Sequence, residues 1–208
     1  MIYLNNYGWN DKLSQLKQES TYNALTHGRI SIVHRTCYEV VSENGLFQCE
    51  LTGNMMYGKS DIELPCTGDW VLFQPFDEHK GIIVDMLPRE RTLYRKKNGT
   101  VADKQAIASY VDKAFIVQSL DDNFNVRRAE RFMVQMQEEN INPVLVFNKA
   151  DLGFDEQKVE EQIRHIARQI PVFFTSIHQP QTILQLRESI SAGETVVFVG
   201  SSGVGKSS

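Results

Sequence analysis

Gly200-Ser201-Ser202-Gly203-Val204-Gly205-Lys206-Ser207-Ser208, the last nine residues of a 208-residue sequence, read G-x-x-x-x-G-K-[ST]. The apolar run Thr195-Val196-Val197-Phe198-Val199 leads into them as a buried strand would. Glycines let such a loop fold tightly and turn successive backbone N–H groups inward, making a nest for phosphate oxygens. In a loop of this kind Lys206 reaches the β- and γ-phosphates and the Ser207 hydroxyl joins the shell of a Mg²⁺ ion. A flexible Gly/Ser tail is the alternative, and the strand ahead of the loop argues against it. A phosphate loop after a buried strand calls for a three-layer α/β domain with a parallel sheet.

A second motif indicates the base. Pro143-Val144-Leu145-Val146-Phe147 reads as a strand buried on both faces and ends in Asn148-Lys149-Ala150-Asp151. N-K-x-D at the carboxyl end of a strand suits guanine, because one carboxylate, Asp151, can accept from both the N1–H and the exocyclic amine. Adenine offers a bare acceptor there, so a buried Asp151 would be left unpaired against it. Asn148 would brace the site, and the stem of Lys149 would cover the base. Val172-Phe173-Phe174-Thr175-Ser176 supplies a further strand ending in a Ser loop, with Ser176 a candidate contact to the base. The order runs base motif, Ser loop, phosphate loop, so the phosphate loop, ordinarily first, comes last. A doubly wound sheet tolerates such circular permutation, since its termini can be joined and reopened at a surface loop.

Upstream, Trp9, Leu13 and Leu16 form one apolar stripe of a short helix in an N-terminal arm. Five short strands are expected at 29–34, 38–42, 46–51, 69–74 and 81–87. Glu43-Asn44-Gly45 signals a hairpin with a type I′ turn. These strands suit a closed oligonucleotide-binding-type (OB-like) barrel, and a small Src-homology-like barrel fits the periodicity almost as well. Lys96-Lys97-Asn98-Gly99 reads as a linker, so the arm and barrel are assigned to 1–97 and the α/β domain to 98–208. In the second part strands at 114–119, 144–147, 172–174 and 196–199 alternate with helices at 127–139, 155–168 and 182–191.

Hydrophobic residues make up 41% of the chain and charged ones 23%, ordinary for a globular protein, and no apolar run approaches the ~18 residues of a membrane span. No signal peptide is visible at the first residues. Cys37, Cys49 and Cys66 are too few and too scattered for a disulfide framework or a zinc site, and are expected as reduced, apolar residues of strands. Between Arg89 and Lys104, six basic residues (Arg89, Arg91, Arg95, Lys96, Lys97 and Lys104) stand against Glu90 and Asp103, in a chain of net charge −4. Such a stretch attracts phosphates. With Arg29 and Arg35 of the barrel, Arg91, Arg95, Lys96 and Lys97 are the candidate RNA contacts. An ordinary solvated face is the competing reading. Two rival functions stay open on the residues alone: an ATP-using P-loop enzyme, which Asp151 disfavours, and a non-enzymatic RNA-binding barrel with a degenerate nucleotide domain.

Together these segments resemble the ribosome small-subunit-dependent GTPase A family of circularly permuted bacterial GTPases. The likeness rests on Gly28-Arg29-Ile30, Gly68-Asp69-Trp70-Val71, Leu87-Pro88-Arg89-Glu90-Arg91, Val111-Asp112, Phe115 to Asp121, Arg127-Arg128-Ala129-Glu130-Arg131, Asn148 to Leu152 and Gly200 to Ser208. It implies an OB-like barrel followed by an incomplete, circularly permuted P-loop GTPase domain. It also implies a cytoplasmic, monomeric factor that binds GTP or GDP with Mg²⁺, contacts rRNA and acts late in small-subunit maturation. Ser176-Ile177-His178 departs from the family's Ser-Ala pair, and Ser109-Tyr110 departs from its small residues and Asn. No D-x-x-G occurs in these 208 residues. The chain therefore reads as C-terminally truncated, with the family's Zn²⁺ expected only in a missing segment and hydrolysis by the chain as given expected no faster than background.

Overall fold

Residues 45–51 and 80–83 alternate between buried and open positions. Residues 26–33, 38–42 and 70–77 hold runs of buried residues, because the first sheet is covered outside as well as in. After a 3-10 turn (Leu4–Tyr7), helix α1 (Asp11–Glu19) starts where the Asn10 side chain accepts from the Leu13 backbone N–H at 3.1 Å. Strands β1 (Thr26–Val33), β2 (Tyr38–Ser42) and β3 (Gly45–Leu51) follow, then the one-turn helix α2 (Gly53–Met56), β4 (Trp70–Asp77) and β5 (Lys80–Met86). They form a closed barrel in the order β1-β2-β3-β5-β4. The β3–β5 pairing is parallel, from Gln48 opposite Lys80 to Leu51 opposite Ile83, while the others are antiparallel. Parallel neighbours need a long crossover, which the 52–69 excursion and β4 together supply. This pairing selects the OB-like barrel over the Src-homology-like alternative. The computed structural model describes residues 1–96, 104–121, 124–154, 156–168 and 170–207.

Ile30, Val40, Phe47, Cys49, Val71, Phe73 and Ile83 fill the barrel. On its outside Leu4 and Leu13 pack with Val41, Trp70, Leu72, Leu87 and Tyr110. Each fully buried leucine of this kind contributes about 1.5–3 kcal/mol, which explains why the arm is ordered against the barrel. Gly68 sits at φ +94°, and a Cβ there would lie 2.5 Å from the Ser109 carbonyl oxygen. Beside it, the wholly buried Asp69 accepts from the Cys66 N–H at 2.7 Å and from Arg89 Nε and Nη2 at 2.9 and 2.6 Å. Arg89 in turn donates to the Ile62 and Leu64 carbonyls, so one ion pair clamps the crossover loop.

Several expectations are corrected here. Arg29, a candidate RNA contact, is only 8% exposed. Its guanidinium donates to the carbonyls of Gly68, Tyr7 and Ser109, and it lies over the Trp70 ring, so it is a structural residue of the barrel. Arg91 is half-buried, with Nε donating to the Val111 carbonyl at 3.1 Å and Nη1 paired with Glu90. The hairpin turn is not type I′, which requires φ > 0 at both central residues. Ser42 pairs with Gly45, leaving Glu43 and Asn44 as the central residues, and neither has positive φ. The Ser42 hydroxyl accepts from the Asn44 N–H instead.

The stretch read as a linker begins in a strand. β6 (Leu93–Lys96) pairs antiparallel with β7 (Lys104–Ala108), burying Leu93, Ala106 and Ala108. The expected boundary between 97 and 98 lies outside the described residues; the chain divides into units Met1–Val111 and Asp112–Ser208.

The second unit alternates β8 (Lys113–Ser119), α3 (Val126–Glu138), β9 (Asn142–Asn148), α4 (Glu156–Ala167), β10 (Val172–Thr175), α5 (Pro180–Glu188) and β11 (Val196–Gly200). The sheet is wholly parallel in the order β10-β9-β8-β11. Because side chains alternate across a strand, it presents two apolar faces. Ile116, Leu145 and Phe147 pack with Ala129 and Met133 of α3 and with Val159, Ile163 and Ile166 of α4. Phe115, Val117, Val144 and Val146 pack with Leu186 of α5. These are the three layers expected from the alternation of elements.

Candidate functional site

All of the base- and phosphate-motif residues in the described chain lie at the carboxyl ends of the parallel strands, where open α/β sheets bind ligands. β9 ends in Asn148, and Lys149 follows in the left-handed region at φ 63°. This kink lets the chain leave the strand directly into the 3-10 turn Ala150–Leu152. The Lys149 side chain crosses to Asp121 beyond β8, with Nζ to Oδ2 at 2.8 Å, while Ser119 Oγ donates to Asp121 Oδ1 at 2.6 Å. A half-buried pair that water still reaches adds only about 0–1 kcal/mol to stability; its effect is to fix where Lys149 lies.

Asn148 joins the two nucleotide motifs. Its Nδ2 donates to the Val204 carbonyl of the phosphate loop at 3.0 Å, and its Oδ1 accepts from Thr175 Oγ1 at 3.3 Å. Val204 is completely buried, its side chain packed under the loop with Phe115, Val117 and Val146. Gly200 comes within reach of β8: at φ +150°, a Cβ there would stand 2.3 Å from the Val117 carbonyl oxygen. The loop is thus pinned from below, with Gly203 and Gly205 at φ 80° and 90°. From Ser202 to Ser207 the chain runs in turns and bends, a course in which successive backbone N–H groups can turn toward an anion. Lys206 Nζ rests on the Gly200 and Ser201 carbonyls at 3.1 and 2.6 Å. Ser202, Gly203 and Ser207 are exposed, and Ser208 lies outside the described residues.

Between the loops is a cavity of about 210 Å³, lined by Asn148, Lys149, Asp151, Leu152, Ile177, His178 and Gly205. That is below the ~300–1,000 Å³ of a drug-sized site and of the order of one heterocyclic base. Asp151 is exposed rather than buried. Its Oδ1 accepts from Ser176 Oγ at 2.5 Å, and this hydroxyl holds the carboxyl below its ordinary range, ionised and ready to accept. Ser176 itself is wholly buried; its hydroxyl accepts from the His178 N–H, and its N–H donates to Thr182 Oγ1. Ser176 therefore orients Asp151, while Ile177 and His178 line the cavity.

Sequence reasoning gave no role to Ser119, Asp121, Thr175 or Thr182, which act on the motif residues across strand ends; Ser119 and Asp121 entered only through the resemblance and Thr175 only as part of its strand. Only their positions at the ends of β8 and β10 or at the start of α5 could have signalled them. It quoted Arg128 for the resemblance alone; Nη1 of this residue donates to Ser201 Oγ at 2.6 Å. Of the candidate RNA contacts, Arg35 and Arg95 are exposed, Lys96 lies in β6, and Lys97 lies outside the described residues. Zinc does not fit the cysteines. Burial pushes the Cys49 and Cys66 thiols up to about 12, away from the thiolate a zinc ligand needs. Among the described residues no group of three or more His, Cys, Asp or Glu could hold a metal ion. No helix among them is long and apolar enough to cross a membrane.

A phosphate loop and a base-reading loop set around one cavity, on a parallel sheet whose phosphate strand comes last in the chain, define a circularly permuted P-loop nucleotide-binding domain. The chain belongs to the RsgA GTPase family, whose model matches residues 86–208. It is 74% identical over 202 residues to small ribosomal subunit biogenesis GTPase RsgA 1 of Bacteroides thetaiotaomicron, covering 97% of this chain and 57% of that protein. It is 34% identical to small ribosomal subunit biogenesis GTPase RsgA of Methanosarcina acetivorans, covering 96% and 53%. The crystal structure of YjeQ from Thermotoga maritima superposes with a TM-score of 0.67 at 26% identity, over 88% of this chain and 62% of that one. YloQ, described as a circularly permuted GTPase, gives 0.63 over 90% and 64%; at 24% identity it speaks for the fold alone. The chain spans little more than half the length of these curated relatives.

Proposed function

We propose that the protein is a GTP-binding and GTP-hydrolysing factor that works in the cytoplasm, as a monomer, on late maturation of the small ribosomal subunit. One observation carries the nucleotide assignment: Asn148, Asp151 and Gly205, from loops far apart in sequence, line one base-sized cavity. Guanine bound there would place its N1–H and amine against Asp151, which Ser176 keeps ionised, with the Lys149 stem over the base. The phosphates would take backbone N–H groups of the loop 201–207, and Lys206 would exchange two carbonyls for phosphate oxygens, a stronger charge-assisted contact. The exposed Ser207 hydroxyl suits Mg²⁺, which keeps waters and phosphate oxygens around one or two protein ligands. GTP and GDP are thus the proposed ligands. Binding with hydrolysis would switch the protein between ribosome-bound and released states. For the N-terminal unit we propose contact with rRNA through exposed Arg35 and Arg95, with Lys96 and Lys97, which follow Arg95 in sequence, as further candidates. Zn²⁺ is proposed only for the longer family protein.

Competition against a labelled guanine nucleotide tests the base assignment. GTP and GDP should displace it and ATP should not. Asp151→Asn should lower guanine affinity and admit xanthine nucleotides, whose added carbonyl pairs with the new amide. Unchanged specificity in that variant would discard the assignment. Lys206→Ala separates this reading from a non-enzymatic barrel, since it should remove nucleotide binding and leave RNA binding intact.

A further inference from the structure

Two cations meet on one residue of the phosphate loop. Lys206 Nζ lies 2.6 Å from the Ser201 carbonyl, and Arg128 Nη1 lies 2.6 Å from the Ser201 hydroxyl. Neither forms an ion pair with a carboxylate among the described residues. Like charges held this close repel, and an anion between them removes the repulsion. A serine hydroxyl is a modest mate for a guanidinium, which carries five N–H donors in a planar fork suited to phosphate. The mounting is rigid: Asn125 caps α3 through the Arg128 N–H at 3.0 Å, and the adjoining Ala129 is 1% exposed in the core.

We infer that Arg128 is a phosphate-contacting residue that recognises the terminal phosphate of a nucleoside triphosphate. The inference rests on the nucleotide-binding reading above. Lys206 marks the β/γ end of the phosphate chain, and Arg128 shares Ser201 with it, so the guanidinium sits at that end and away from the base cavity. On binding, the Arg128 fork leaves Ser201 Oγ for phosphate oxygens while α3 stays in place. The contact then favours the triphosphate over the diphosphate and has no bearing on the base.

Calorimetric titration in Mg²⁺ of guanosine, GDP and a non-hydrolysable GTP analogue into the chain and three variants tests this. Arg128→Gln keeps a donor for Ser201 without the charge, Arg128→Lys keeps the charge without the fork, and Arg128→Ala removes both. The Ala and Gln variants should lose on the order of ten- to hundredfold in affinity for the triphosphate analogue. They should lose less for GDP and nothing for guanosine, with Lys intermediate and the salt dependence reduced where the charge is gone. A Gln variant that binds the analogue as the unmodified chain does, or an equal loss for all three ligands, overturns the inference. If the Ala variant unfolds, the Gln and Lys pair decides. An unmodified chain that binds none of the three overturns the nucleotide-binding reading, and this inference with it.

Discussion

Replacing Asn148 by Ala removes the only described side-chain bond between the base-reading and phosphate loops. The amide donates to the Val204 carbonyl and accepts from Thr175 Oγ1, and Asn148 is 8% exposed. Truncation loses a buried hydrogen bond and strands two partners, each unsatisfied group worth about 1–3 kcal/mol. The Thr175 hydroxyl can rotate, so the net loss is about 2–4 kcal/mol, most of it at the Val204 carbonyl. At roughly 4–8 °C per kcal/mol for a domain of this size, the unit's melting midpoint should fall by about 10–30 °C. Nucleotide affinity should fall with it, because the loops no longer hold one another in register. Differential scanning calorimetry with labelled-GDP titration reads both. Thr175→Val, which deletes only the bond to Oδ1, should have the smaller effect, and the double variant should be non-additive. An Asn148→Ala midpoint within a few degrees of the unmodified chain would refute the reasoning.

Asp69→Ala should destabilise the barrel by about 3–5 kcal/mol, since it leaves the Arg89 guanidinium buried without its carboxylate; a denaturant midpoint that does not move would contradict this. Native thiol labelling followed by mass spectrometry should modify Cys37 and spare Cys49 and Cys66, which are buried and protonated, until denaturant is added. Fast labelling of all three would show that the barrel opens. His27 packs its ring on Trp9, with centroids 4.1 Å apart, and burial lowers its pKa below 6.5. The unfolded chain therefore binds the proton more readily, so barrel stability should decline as the pH falls through about 6.5 and level off below the folded value. His27→Phe should flatten that decline, seen as thermal midpoints across the pH range.

The α/β half was the more legible one. Unbroken apolar runs such as Val144–Phe147 are bounded by motifs, and each expected strand and helix there has a counterpart displaced by a few residues at most. The barrel strands were nearly as clear: Leu46–Leu51 alternates between buried and open sides, and Tyr38–Ser42 is a short apolar run that ends at a turn signal. What failed depended on distant partners. Arg29 looks like a surface base in a strand until carbonyls from Tyr7, Gly68 and Ser109 converge on it. The β6–β7 hairpin was hidden because basic residues suggested a solvated linker, whereas Leu93 and Ala106 are buried by pairing. At the site, the motif residues announced themselves by spacing. Asp121, Thr175 and Arg128 did not, because each acts on a residue from another strand or loop, and nothing local records that.

The phosphate-bearing strand β11 pairs with β8, which the chain completes before it reaches Asn142. A ribosome making this protein thus lays down the Asn148–Asp151 side of the cavity, proposed above to read the base, before the phosphate loop. At ~5–20 residues per second, Lys206 follows Asp151 by several seconds. Gly205, which lines the base-sized cavity, emerges only after β11, so nucleotide capture should report that synthesis has passed the phosphate loop.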